Sequence, residues 1–231
     1  MTQKPLGTIL LVCTSHSELG KTGNNTGFWI EELAAPYYAF KDAGYKVAIA
    51  SPRGGTPPVD PGSLSKDMRG PIVDRFEANA EASAALSSST SLDDIVGVDA
   101  FAGVFLVGGH GTMWDFPQNA NLARLVEQAL TQGKAIGAVC HGVAGLLAGN
   151  VPALLKGKSV AGFSNAEETA VGLTEVVPFL LETKLVEAGF DYRSGPVFSP
   201  NVVTDGMLVT GQNPPSSLAT AEAMIAVLSN G

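Results

Sequence analysis

The stretch Ala135-Ile136-Gly137-Ala138-Val139-Cys140-His141-Gly142-Val143-Ala144-Gly145 decides how this chain is read. A short apolar run ends on a cysteine, and a histidine, a glycine and small helix-compatible residues follow. The pattern predicts a buried strand that stops at a tight turn and re-emerges as a helix. A nucleophile on such an elbow is lifted out of the sheet, with a helix N-terminus beneath it whose amide dipoles favour a thiolate. A strand-end cysteine is also, more simply, a small buried apolar residue. The adjacent His141 and a glycine-rich turn upstream favour catalysis.

Thr8 to Cys13, Val47 to Ala50, Phe101 to Val107 and Ala135 to Val139 are continuous apolar runs of strand length. Such runs belong to strands covered on both faces. Helical spacing marks Trp29 to Ala43, with Ile30, Leu33, Ala34, Tyr37 and Phe40 on one face and Gly44 as its stop. Further helices are predicted over Ala78 to Leu86, Asn121 to Gln132, Gly142 to Leu147, Glu175 to Ala188 and Ser217 to Leu228. Pro52 to Gly70 reads as a loop. Val160 to Phe163 reads as another strand, and Val202 to Thr210 as a hairpin with an Asp-Gly turn. Alternating strands and helices specify an α/β fold, a three-layer, flavodoxin-like sandwich with a mostly parallel central sheet. Residues 1–231 are expected to form a single domain.

Composition narrows the function. Of 231 residues, 45% are hydrophobic and 16% charged, so a large core is available and wholesale disorder is disfavoured. The net charge of -8, without a Lys/Arg cluster, argues against nucleic acid or an anionic membrane as partner. No apolar run reaches the length of a membrane span. Met1-Thr2-Gln3-Lys4-Pro5 lacks the apolar segment and small-residue cleavage site of a signal peptide, and Cys13 and Cys140 are not expected to make a disulfide framework, so a reducing cytoplasm is expected.

In open parallel sheets, ligands sit beyond the carboxyl ends of the strands. Cys140, Gly108-Gly109-His110-Gly111 and Thr14 to Ser17 all fall there. A nucleophilic cysteine needs thiolate stabilisation, a proton-transfer partner and donors for an oxyanion. The amides of the glycine turn and of His141 are candidate donors. His141 is the first candidate base, with His110 and His16 as rivals. Three histidines without regular spacing are a poor metal signature, so no metal is expected. Glu31 and Glu32 share an apolar helical segment. Whichever faces the interior would have a raised pKa and stay protonated near neutrality. Glu167 and Glu168 pose the same question, and one of them is a candidate to orient His141.

At these residues the chain resembles the ThiJ/PfpI superfamily of the class I glutamine amidotransferase-like fold. It is most similar to the branch of small heat-shock chaperones and glutathione-independent glyoxalases (glyoxalase III). Thr26-Gly27-Phe28-Trp29-Ile30-Glu31-Glu32 with Pro36, Gly108 to Pro117, Ala138 to Gly142, Gly162 to Glu168 and Thr210 to Pro214 carry the resemblance. It implies Cys140 as nucleophile, with His141 beside it, Glu32 as the nearby acid and Glu168 as third triad member. It places oxyanion or substrate binding on Gly108, Gly109, His110 and Asn213. It implies a homodimer without cofactor, a small reactive aldehyde as substrate, and a lyase of the lactate dehydratase type. Methylglyoxal would become lactate through a cysteine hemithioacetal, with protein deglycase or chaperone activity in stress response alongside. The alternatives are a cysteine peptidase or amidase using the same pair, and a non-catalytic holdase or oxidative-stress sensor.

Overall fold

The computed structural model describes residues 6–230. The reading of Met1 to Pro5 as leaderless therefore lies outside the described residues. The chain runs through β1 (Thr8–Val12), α1 (Ile30–Asp42) and β2 (Lys46–Ser51). A 3-10 turn, α2 (Pro71–Glu77) and α3 (Ala80–Ser87) lead to β3 (Thr90–Ser91). Next come β4 (Gly103–Leu106), α4 (Thr112–Asp115), α5 (Ala120–Thr131) and β5 (Ala135–Val139). A 3-10 helix over Cys140–Leu147 is followed by α6 (Val151–Leu154). The remainder is β6 (Ser159–Val160), α7 (Asn165–Ala170), α8 (Leu181–Glu187), β7 (Asp191–Tyr192), β8 (Val202–Asp205), β9 (Leu208–Gly211) and α9 (Ser217–Asn230).

Seven strands form the main sheet in the order β3-β2-β1-β4-β5-β9-β8, parallel except for the β8–β9 hairpin. The central register pairs Val12 with Leu106, Leu106 with Ala138, and Val139 with Gly211, so these strands end together. Their residues are apolar on both faces because helices cover both. Ile9 to Val12 and Val104 to Leu106 have no exposed surface. Truncating one such leucine to alanine costs about 3 kcal/mol. The order reverses between β1 and β4: β1-α1-β2 steps one way and β4-α5-β5 the other. Right-handed crossovers then put α1 and α5 on opposite faces. On one face α1 packs against α9, with Phe40 edge-on to Phe105 of β4 at 5.9 Å. On the other, α5 packs against the 3-10 helix. The reversal opens a crevice at the carboxyl edge.

Several elements depart from the sequence expectations. The helix expected from Glu175 begins only at Leu181, because Pro178 disfavours helical backbone at the residue before it. The strand expected over Val160–Phe163 is the two-residue β6, which pairs with β7 in a separate small sheet. The helix after Cys140 is a 3-10 helix that includes Cys140 itself. Helices α2, α4 and α7 lie where none was expected. All are shorter than the windows in which periodicity shows.

Candidate active site

Cys140 stands where β5 ends. Val139 is still extended, and Cys140 turns to φ 56° before the 3-10 helix runs on. A left-handed backbone at a residue other than glycine costs on the order of 1–3 kcal/mol and persists only where its surroundings impose it. The turn after β4 lies alongside. Gly109 takes φ 110°, a conformation that side chains resist. Gly108 is glycine for a different reason: a Cβ there would run into Glu32 Oε2 and approach Cys140 Cβ to 2.9 Å.

Glu32 reaches this point because the start of α1 is docked on the same turn. The Trp29 amide donates to the Gly108 carbonyl at 3.1 Å, and the Phe28 amide to the Pro58 carbonyl at 2.9 Å. One helical turn in, Glu32 is completely buried, whereas Glu31 is half-buried and lines the adjoining cavity. Neither carboxyl oxygen of Glu32 has a hydrogen-bond partner of good geometry. Burial pushes its pKa well above the ordinary carboxyl range, only partly offset by the Cys140 sulfur and the Gly108 amide nearby. Burial thus favours the protonated form of Glu32, which has a proton to give.

The sulfur has a second neighbour. Cys140 Sγ lies 3.3 Å from His141 Nδ1, and His141 Nε2 lies 2.7 Å from Glu168 Oε2. Burial, then His110, hold His141 down at about 4, so the ring is neutral. Burial alone would raise Glu168, but hydrogen bonds from His110 and His141 outweigh it and hold it at about 2. A carboxylate that acidic has no proton to donate, so His141 carries its proton on Nε2. Its Nδ1 lone pair faces the sulfur, the tautomer a base for the thiol requires.

The thiol itself departs from expectation. Burial first, and the Glu32 carboxyl second, push Cys140 well above the ordinary thiol value, while the His141 amide pulls it down. Burial beside an acid thus favours the thiol over the thiolate, and the His141 amide at the start of the 3-10 helix does not offset it. Cys13, at the end of β1, is likewise buried and pushed up, with no histidine or carboxyl among the causes.

Placement of the other expected residues is mixed. His110 sits at the cavity floor with Nε2 2.9 Å from Glu168 Oε1 and its ring centroid 4.0 Å from that of His141. Glu168 thus serves two imidazoles, which separation in sequence did not convey. His110, His141 and Glu168 offer donor atoms within 4.8 Å of one another, close enough to share a cation. A cation there would displace both N–H···O hydrogen bonds, since each imidazole already spends Nε2 on the carboxylate. His16 is held elsewhere, stacked on Trp114 with Nε2 on the Glu18 carbonyl. Asn213 is not brought to the cavity. It is fully buried, with its side-chain amide spent on Glu167 Oε1 and the Ser199 carbonyl at 2.8 Å each. The neighbouring Pro214 and Pro215 line the cavity instead.

Glu167 plays a part that sequence reading missed. Its carboxyl accepts from the Ser164 amide and hydroxyl, Gln212 Nε2, Asn213 Nδ2 and the Phe198 amide, at 2.8 to 3.0 Å. The Ser164-Asn165-Ala166-Glu167 spacing is a capping box, a readable signal for half of this arrangement. Above Cys140 and His141 opens a cavity of about 440 Å³, walled largely by apolar side chains.

This geometry has counterparts among known proteins. Residues 26–227 match the model of the DJ-1/PfpI family. The chain is 32% identical over 235 residues to the glutathione-independent glyoxalase hsp3102 of Schizosaccharomyces pombe, covering 95% of this chain and 96% of that one. The crystal structure of glyoxalase III from Candida albicans is 30% identical and superposes with a TM-score of 0.88 over 96% of this chain and 97% of its own. The structure of the Francisella tularensis Rapid Encystment Protein 24 KDa is 40% identical, with a TM-score of 0.91 over 96% and 99%. Family match, sequence identity and superposition all extend over nearly the whole chain, and by them it belongs to the DJ-1/PfpI family.

Proposed function

We propose that this protein is a glutathione-independent glyoxalase, converting methylglyoxal and water to lactate with Cys140 as nucleophile. The observation that carries the reading is the sulfur flanked by two proton carriers of opposite kind. A buried acid without a well-formed hydrogen bond stands on one side, and on the other a neutral imidazole presents its lone pair at 3.3 Å. The glyoxalase names of the relatives support the same reaction.

A thiol with a raised pKa reacts if its proton leaves as the bond forms. His141 Nδ1 takes that proton while the sulfur attacks the aldehyde carbon, and Glu32 protonates the aldehyde oxygen. The hemithioacetal then faces a Glu32 carboxylate and a His141 imidazolium paired with Glu168. Glu32 removes the proton from the former aldehyde carbon, and His141 protonates the ketone oxygen, giving an enediol. Glu32 returns its proton to the second carbon as His141 takes one from the first hydroxyl, leaving a thioester of the hydroxy acid. Water attacks the thioester, its proton going to Glu32, and His141 protonates the departing sulfur. The amides of Gly109 and His141 are the proposed oxyanion donors; Gly109 and His141 both line the cavity. Glu168 acts as a positioning residue through the imidazoles.

The reading carries with it a homodimer in a reducing cytoplasm. Two unpaired buried cysteines fit that compartment, and light scattering on the purified protein measures the assembly. Among the described residues no helix is long and apolar enough to cross a membrane. The deciding experiment incubates the protein with methylglyoxal, without glutathione, and quantifies lactate. Lactate is expected from the wild type and none from Cys140→Ala; normal turnover in that variant would discard the mechanism.

A further inference from the structure

The cavity is much larger than a three-carbon aldehyde needs. It measures about 440 Å³. Methylglyoxal fills on the order of 100 Å³ at liquid-like packing. Polar machinery is confined to the floor, around Cys140, His141, His110 and Gly109. The walls are side chains of Trp29, Met68, Phe163, Val171, Phe198 and Pro214. Beyond the floor, the ionisable side chains among the described lining residues are Glu31 and Asp67, both acids. An anionic tail on a substrate meets repulsion there. An aromatic or aliphatic tail displaces water from apolar walls and from two phenyl rings.

Phe198 is held in this wall at a cost. Its backbone sits at φ 54°, where a bulky side chain is strained, and the residue is 46% exposed, so burial of the ring returns little. Its amide donates to Glu167 Oε1 at 2.9 Å, on the same buried carboxyl that binds Gln212 and Asn213. A fully buried group therefore fixes an exposed, strained aromatic residue at the rim, 6.4 Å from Phe163. No described packing or hydrogen bond uses the ring for anything but the cavity.

We infer that the substrates this site favours are neutral 2-oxoaldehydes bearing a bulky apolar, above all aromatic, substituent, with Phe198 a specificity-determining residue. The inference rests on the glyoxalase reading and deepens it. The chemistry balances as before: the aldehyde carbon rises to the carboxyl level, the adjacent carbonyl carbon falls to a secondary alcohol, and one water is added. No external oxidant or reductant takes part.

The test measures kcat/KM for methylglyoxal, phenylglyoxal and 4-carboxyphenylglyoxal with the full chain, by quantifying the three hydroxy acids. The phenyl compound is expected to exceed methylglyoxal by about tenfold or more. Its carboxylated analogue, similar in width but anionic, is expected to fall about tenfold below it. In Phe198→Gly, where glycine suits the backbone, the phenyl-to-methyl ratio is expected to drop by about threefold or more. Val171→Ala, on the same cavity, repeats the measurement should the first variant fold poorly. Normal lactate formation with phenylglyoxal no better than methylglyoxal overturns the inference and leaves the glyoxalase reading standing. An unchanged ratio in both variants overturns the role of the walls. No hydroxy acid from any of the three substrates overturns both readings.

Discussion

Glu32 and Glu167 are both completely buried, and their surroundings are opposite. Five donors converge on Glu167, from three separate segments of chain. None of good geometry reaches Glu32. A buried carboxyl left unpaired costs several kcal/mol as an anion and less as a neutral acid, so it survives by keeping its proton. Each also stands beside one of the two non-glycine residues with positive φ among the described residues, Cys140 beside Glu32 and Phe198 beside Glu167. The satisfied carboxyl organises structure. The orphan stands against the Cys140 sulfur, and burial favours its protonated form.

Removing the transferable proton of Glu32 should cost activity most. Glu32→Gln keeps size and hydrogen-bonding capacity but removes a transferable proton. Lactate formation should fall by about a thousandfold. The urea midpoint at neutral pH should stay level or rise, since the variant no longer keeps a proton against solution pH. Loss of activity together with loss of stability would mean that Glu32 is structural. Glu167→Gln should behave in the reverse manner. It turns an amide donor toward groups that are themselves donors, and is expected to cost about 3 kcal/mol of stability in urea unfolding.

How much of this was legible follows the same division. The strands were readable because they are buried on both sides and so leave continuous apolar runs, as in Thr8 to Val12 and Ala135 to Val139. The elbow was readable because Val139-Cys140-His141-Gly142 changes character within four residues. Helical phase left Glu31 and Glu32 both open, and only the motif singled out Glu32. Docking of Trp29 on Gly108, which fixes the phase, lies 79 positions away in sequence, from 29 to 108. The Glu167 hub was not legible beyond its capping box. Its donors Phe198, Gln212 and Asn213 come from irregular segments, where no periodicity reports a contact. The same holds for His110 meeting Glu168 across 58 residues.

The next effect separates the two buried proton carriers by pH. His141 has a folded pKa of about 4 against an ordinary 6.5, so as pH falls below 6.5 the unfolded chain takes up a proton that the folded one refuses. That lowers stability toward acid. Glu32 has the opposite sign: its folded pKa is raised above 4.5, so its contribution is full below 4.5 and is lost as pH rises toward the folded value. Between 4.5 and 6.5 the two slopes oppose each other, and the wild type should be nearly flat. Glu32→Gln removes one slope, and its stability should then drop by about 2 kcal/mol between roughly pH 6.5 and pH 5. A profile parallel to wild type would show that Glu32 is ionised in the native state.

The smallest effect tests the strain beside the orphan carboxyl. Cys140 at φ 56° has none of the direct tethering that Glu167 gives the Phe198 amide; its carbonyl accepts from Phe163 at a long 3.4 Å. Glycine adopts that backbone without penalty, whereas alanine retains the Cβ that makes it costly. Both Cys140→Gly and Cys140→Ala remove the sulfur and should be inactive. Cys140→Gly should nevertheless unfold at higher urea than Cys140→Ala, by about 1 kcal/mol, even though glycine ordinarily destabilises through the entropy of the unfolded chain. The reverse order would mean that the elbow relaxes once the sulfur is gone, making the left-handed turn a consequence of the Cys140–Glu32 contact. The expected order makes the turn a property of the β5 end itself, imposed on whatever residue stands there, and the nucleophile is then presented to the acid by the backbone.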